Sequence, residues 1–250
     1  MTFLRSTLFM LWSMVITVIA GPIVILAALI LRGLAGYQVV YVWRRCYMWG
    51  VEHILGIRTV IKGRENMPAT PAVILAKHQS AWETVALQDC VPRGRYCAFV
   101  LKKELLMLPF FGWSLAAMGM ISIDRKAGKE ALNQVATQGR NCLHERGLYV
   151  IVFPEGTRTA PGEYRRYKPG GAHLASNANA VIVPIAHNAG ELWPRNAFLK
   201  RPGTITVSIG QPIETTGLSD QEITRRAEEW IEGEMRFLAP HRYADAQPAA

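Results

Sequence analysis

From Leu8 to Leu31 the chain carries no charge over 24 consecutive residues, and that run constrains the chain more than any other feature. As a helix rising about 1.5 Å per residue, it is long enough to cross a hydrocarbon core of roughly 30 Å. A cleaved leader has an apolar stretch of only about 7–15 residues ending at a small-residue site, and this run fits neither condition. It therefore reads as a retained anchor kinked at Gly21-Pro22, either crossing the bilayer or forming a re-entrant hairpin with the next segment. That segment, Gly33 to Gly56, mixes Tyr37, Tyr41, Trp43, Tyr47 and Trp49 with Arg44 and Arg45. Aromatic rings and basic residues together favour the headgroup region, so an interfacial amphipathic helix is expected. Arg32, Arg44 and Arg45 follow the apolar run, against Arg5 alone before it. The positive-inside bias puts the downstream domain on the cytoplasmic face of the inner membrane.

The rest of the composition agrees with a membrane-associated chain. The formal charge is +9, from 28 Lys and Arg against 19 Asp and Glu, which suits an anionic partner. Hydrophobic residues make up 50% of the chain and the mean hydropathy is +0.11, favouring a membrane over nucleic acid. No nucleic-acid-binding motif is present, and no nucleic-acid partner is expected. Cys46, Cys90, Cys97 and Cys142 form no C-x-x-C pair, so no zinc or dithiol site is expected, and the thiols read as reduced.

From Arg58 onward, short apolar runs alternate with helical patterns. Strands are expected at Arg58–Lys62, Ala72–Ala76, Tyr96–Leu101, Met120–Asp124, Leu148–Phe153, Ala180–Ala186 and Thr204–Ile209. Helices are expected at Ala81–Cys90, Glu104–Met118, Lys129–Glu145, Gly171–Asn177 and Asp220–Leu238. Such alternation predicts an α/β fold, with a mostly parallel or mixed central sheet flanked by helices and preceded by a two-helix membrane segment. The domain boundaries follow: 1–57 for the anchor, 58–240 for the α/β domain and 241–250 for a frayed tail. Pro184 should interrupt its strand, end it early or confine it to an edge.

Three turns carry chemistry-bearing residues. Val73 to Leu87 reads as a strand, a turn holding His78, and a helix start with Ser80 as N-cap and Glu83 three residues on. An imidazole at a strand's C-terminal end can act as a general base, and Glu83 can fix its tautomer. Equally, Glu83 could serve only the capping box. Lys102 and Arg125 end neighbouring strands, where two cations could hold one phosphate or simply be solvated. Phe110, Phe111 and Trp113 between them suit core, a lipid-facing patch or an acyl-chain wall. Leu148 to Arg158 is a buried strand running into Pro154-Glu155-Gly156-Thr157-Arg158, which supplies a third cation and a glycine that lets backbone approach a ligand.

Taken together, these blocks resemble the glycerolipid acyltransferases, specifically the bacterial membrane branch acting on 1-acyl-glycerol 3-phosphate. The H-x4-D block corresponds to His78 through Glu83, with Glu in place of the usual Asp. The K-x2-L-x6-G-x12-R pattern falls on Lys102, Leu105, Gly112 and Arg125. Phe153 to Arg158 matches F-P-E-G-T-R, and Val183-Pro184-Ile185 matches V-P-I. The likeness covers roughly residues 60–210. It implies acyl transfer from acyl-CoA or acyl carrier protein to lysophosphatidic acid, giving phosphatidic acid, with no metal or resident cofactor. It implies catalytic roles for His78 and Glu83, and substrate-binding roles for Lys102, Arg125, Glu155, Gly156, Thr157 and Arg158. The Glu83 departure leaves open an acceptor among other lysolipids. A serine lipid hydrolase using Ser80 lacks G-x-S-x-G, and a non-catalytic lipid-binding module would not need His78 and Glu83 together.

Overall fold

The computed structural model describes residues 1–30, 35–109, 111–124 and 128–243. Two helices come first, α1 (Thr2–Ile30) and α2 (Ala35–His53). A seven-stranded sheet follows, with strands β1 (Ile57–Lys62), β2 (Val73–Ala76), β3 (Cys97–Lys102), β4 (Ile121–Ile123), β5 (Tyr149–Val152), β6 (Ile182–His187) and β7 (Gly203–Ile209). Between and after the strands lie α3 (Glu83–Ala86), α4 (Phe111–Ala117), α5 (Gly128–His144), α6 (Gly170–Asn177), α7 (Ala189–Leu192), α8 (Asp220–Leu238) and α9 (Pro240–Tyr243). The expected mixed α/β architecture is present.

The strand order is β1-β7-β6-β2-β5-β3-β4. Strands β6, β2, β5, β3 and β4 run parallel; β7 pairs antiparallel with β6, and β1 is parallel to β7. The three central strands are buried along their whole length. Their continuous apolar sequences, VILA, YVIV and IVPIAH, are what a strand covered on both faces requires. Val73 and Leu75 of β2 join one core, while Ile74 and Ala76 join the other. Helices α5, α6 and α8 pack on the first side. α8 starts at Ser219, whose hydroxyl accepts from the Glu222 amide 3.2 Å away, the expected cap.

Four local expectations are corrected. Pro184 lies in a central strand, because its place opposes a bulge: Ile182 pairs Ile213 and Ile185 pairs Ile209, leaving three residues of the partner segment against two. The missing N–H falls where the ladder is already interrupted. The region 81–90 is only the short α3, followed by a 3-10 turn at Leu87–Asp89. Ser80 does not cap it; its buried hydroxyl accepts from the Trp82 amide two residues on, at 3.1 Å. Residues 241–243 finish α9 and bury Tyr243, so the tail is structured to that point.

Helix α1 is continuous through Pro22. It is fastened to the domain near its N-terminal end and again past its middle. Phe9 packs edge-on against Tyr47 and Trp193, with centroids 5.2 and 5.4 Å away, and the Ser6 hydroxyl accepts from the Lys200 amide at 3.0 Å. Farther along, the Ser114 hydroxyl of α4 donates to the Gly21 carbonyl at 3.3 Å. The opposite face exposes Leu4, Leu8, Leu11, Val15, Ile19 and Leu26. A continuous apolar face of this size suits lipid and associates the chain with a membrane. Hydrophobic contact, unlike surface charge, is not screened by salt. The protein is therefore expected to stay with sedimented membranes in a high-salt wash, and Ile19→Asp to loosen it. An aspartate facing lipid at the bilayer centre costs roughly 2.5–3.5 kcal/mol. Release of the unaltered chain by salt alone would contradict the lipid-facing assignment.

Candidate active site

Parallel strands aim their C-terminal ends at one edge of the sheet, and β2, β5 and β3 deliver His78, Glu155 to Arg158, and Lys102 there. The turn after β2 is organised by a single oxygen. Glu83 Oε1 accepts from the backbone amides of Gln79 at 2.8 Å and Ser80 at 2.7 Å, and lies 2.9 Å from His78 Nδ1. Glu83 thus does both jobs the sequence allows, holding the turn's backbone and the imidazole. It is completely buried. Burial alone would raise its carboxyl pKa. The His78 hydrogen bond, the nearby His187 ring and the Ser80 amide outweigh that and hold it below the ordinary 4.5. An ionised Glu83 makes Nδ1 the protonated nitrogen of His78 and leaves Nε2 as the base. The ring is clamped from one side by Phe153, stacked at 4.0 Å with planes 13° apart.

The loop after β5 is fastened to this turn through the main chain. Glu155 Oε1 accepts from the His78 amide at 3.0 Å, and the Thr159 amide donates to the His78 carbonyl at 2.8 Å. Gly156 has φ +71, a left-handed conformation that favours glycine. A Cβ there would meet the Lys168 side chain only at ordinary contact distance, so conformation and not space selects the glycine.

His78 lines a cavity of about 500 Å³. Lys102, Gly156, Thr157 and Arg158 line the same cavity, so most of the sequence-predicted site converges. Its apolar walls come from β3, α4, α2 and the middle of α1, including Gly21, Val24, Val40, Leu101 and Met118. Gly112 lets α4 approach: a Cβ there would come 2.3 Å from the Leu105 carbonyl oxygen, which accounts for the glycine of that block. Phe111 lines the cavity while half exposed, whereas Trp113 is half exposed without lining it. Among the described residues, no three His, Cys, Asp or Glu side chains are grouped to hold a metal ion.

Two expected residues stand apart. Arg125, like Phe110, lies outside the described residues. Glu155 does not face the cavity; it is fully buried, bonded to the His78 amide and 3.5 Å from Lys77 Nζ. Burial pushes its carboxyl up to about 7 against the pull of Lys77. Its reading as a substrate-pocket residue therefore gives way to an interior one. The structure also adds Arg195, which lines the cavity and donates to the Arg158 carbonyl at 2.9 Å. It stands outside every matched block, and only its charge near the V-P-I strand could have flagged it.

An imidazole held by a buried carboxylate and facing an apolar cavity with basic residues at its edge suits activation of a hydroxyl on an anionic amphiphile. Residues 58–188 match the model of the acyltransferase family, and the chain belongs to that family. It is 42% identical to a 1-acyl-sn-glycerol-3-phosphate acyltransferase of Pseudomonas aeruginosa, over 95% of this chain and 92% of that one. A Saccharomyces cerevisiae protein of the same name is 31% identical over 80% of this chain and 67% of its own length. The fold matches the crystal structure of the Thermotoga maritima 1-acyl-sn-glycerophosphate acyltransferase, with a TM-score of 0.73 and 22% identity. That match covers 100% of this chain and 98% of the other.

Proposed function

We propose that the enzyme transfers an acyl chain from a thioester, acyl-CoA or acyl carrier protein, to the sn-2 hydroxyl of lysophosphatidic acid, releasing phosphatidic acid and a thiol. The carrying observation is the His78–Glu83 pair, with Nδ1 taken and the ring edge bearing Nε2 available to an apolar cavity lined by Lys102 and Arg158. The names of the Pseudomonas and yeast relatives support the same acceptor.

In this reading Nε2 of His78 takes the hydroxyl proton as the oxygen attacks the thioester carbonyl. Glu83 stabilises the imidazolium that forms. The tetrahedral intermediate collapses, the carbon–sulfur bond breaks, and the proton passes from His78 to the leaving thiolate. The thioester is already activated, so the scheme needs no resident metal or cofactor. Lys102, Arg125 and Arg158 hold the acceptor's phosphate, while Gly156 and Thr157 shape its pocket. The acyl chain lies along β3 beneath α1 and α2. We assign the catalytic domain to the cytoplasmic face of the inner membrane, on the basic residues that follow the apolar run. A hydrolase using Ser80 fits poorly, because that hydroxyl is buried and bonded to the Trp82 amide.

A phosphomonoester carries up to about two negative charges. Lysophosphatidic acid should therefore be a better acceptor than lysophosphatidylcholine or lyso-ornithine lipid. A charge-assisted contact contributes roughly 1.5–3 kcal/mol. Arg158→Ala is expected to lower kcat/KM for the acceptor by about ten- to a hundredfold with less effect on the donor, and Arg158→Lys to recover only part. Steady-state kinetics on the three acceptors with both donors test this. Equal kcat/KM for all three, or an Arg158→Ala effect confined to the thioester, would assign the cations to the donor.

A further inference from the structure

Lys77 has no part in the scheme above, yet it sits one residue before His78 with its side chain completely buried. A buried ammonium is costly unless paired, and this one is paired twice. Its Nζ lies 2.6 Å from Glu232 Oε1 of α8 and 3.5 Å from Glu155 Oε1. The Tyr167 hydroxyl donates to the same Glu232 oxygen at 2.9 Å, and the Tyr167 ring lies 5.9 Å from the ammonium. Tyr243 of α9 is a further titratable group whose charge Lys77 feels, and His187 is another, its Nε2 lying 2.8 Å from the Lys77 carbonyl. Burial works against the charged lysine, but the two carboxylates outweigh it and keep it protonated.

The contacts form one chain. Glu232 binds Lys77, Lys77 faces Glu155, and Glu155 accepts the His78 amide. α8 contributes no residue to the cavity wall, so this chain is its route to the reacting end of the sheet. Glu83 fixes the imidazole, whereas Glu155 fixes the backbone that carries it. A carboxylate accepts an amide hydrogen bond more strongly than a neutral carboxyl does.

We propose that Lys77 is a positioning residue for acyl transfer and that Glu232 tunes it: Lys77 steadies the Glu155 carboxylate, Glu155 pins the His78 amide, and Glu232 competes with Glu155 for the Lys77 ammonium. This rests on His78 being the base. The experiment is the pH profile of kcat and KM for full-length Lys77→Met, Glu232→Gln and the double variant, each checked for folding by thermal unfolding, with His78→Ala alongside.

Lys77→Met is expected to lower kcat near neutral pH about tenfold or more while the acceptor's KM stays within about twofold. It leaves Glu155 without its counter-ion, so the acidic limb should move up by about one pH unit and activity should partly return at higher pH. Glu232→Gln removes a competing carboxylate, lets Lys77 serve Glu155 alone, and should move the limb down. The double variant should keep the raised limb of Lys77→Met. Glu232→Gln is nearly isosteric and sits where the network meets solvent, so it decides the matter if Lys77→Met fails to fold. A folded Lys77→Met with the wild-type profile, a loss confined to KM, or limbs moving the same way in both single variants would overturn the proposal. Retained activity in His78→Ala would overturn the base assignment itself. A dead His78→Ala with unmoved limbs would remove only the roles of Lys77 and Glu232.

Discussion

His78→Ala is expected to abolish acyl transfer, lowering kcat by at least about 10²–10⁴-fold, while the protein still folds and sediments with membranes. The expectation follows from how little else depends on the ring. Its Nδ1 meets Glu83, its face meets Phe153, and the rest lines the cavity. The bonds that hold the turn use the His78 backbone and Glu83, and alanine preserves them: Glu83 keeps the Gln79 and Ser80 amides, and Glu155 keeps the residue 78 amide. The measurement is turnover of purified variant against lysophosphatidic acid, with thermal unfolding as the control. Turnover within tenfold of wild type in a folded variant would end the general-base scheme.

Glu83→Gln should be nearly as damaging to turnover, by about 10²-fold or more, because the imidazolium formed during transfer then faces a neutral amide. It should also cost stability, since one oxygen serves three N–H donors in a fully buried setting. The sign of the pH dependence follows from the depressed carboxyl. Its folded value lies below the ordinary 4.5, so its contribution to stability is present above 4.5 and is lost as pH falls through the folded value. Glu83→Gln should flatten that acid loss. Glu83→Asp keeps the charge on a shorter arm and should retain more activity than Glu83→Gln. Thermal unfolding from pH 3 to 7, with turnover at pH 7, checks both halves. Wild-type turnover in Glu83→Gln would reduce the residue to a backbone cap.

Strands were legible wherever burial on both faces forced an unbroken apolar run, as at Val73–Ala76 and Tyr149–Val152. Helix α8 was legible from its helical pattern, with Ser219 and Glu222 in the sequence as start signals, and its bounds match those expected. What failed was what depends on a distant partner. Pro184 argues against a central strand unless the opposing segment, 25 or more residues on, supplies a bulge. Ser80 and Glu83 spell a capping box, but only its second half forms: Glu83 accepts from the Ser80 amide, and from Gln79 as well, while the Ser80 hydroxyl takes the Trp82 amide. Within the site, residues close in sequence or aligned at strand ends could be placed by reasoning. The Lys77–Glu232 pair spans 155 positions, and nothing local in VILAKH marks the lysine as buried rather than solvated. Glu155, which the resemblance places in the substrate pocket, finds its partners inside the protein, in Lys77 and the His78 amide.

The fastening of α1 along its length has a consequence for enzymology. The same helix exposes one apolar face and contributes the other to the cavity proposed to receive the acyl chain. A substrate arriving through that face is drawn from a two-dimensional solution, and its effective concentration is its mole fraction in the surface. Turnover should therefore follow surface dilution. Adding inert detergent or neutral lipid at constant bulk lysolipid should slow the enzyme, and adding buffer at constant surface composition should not.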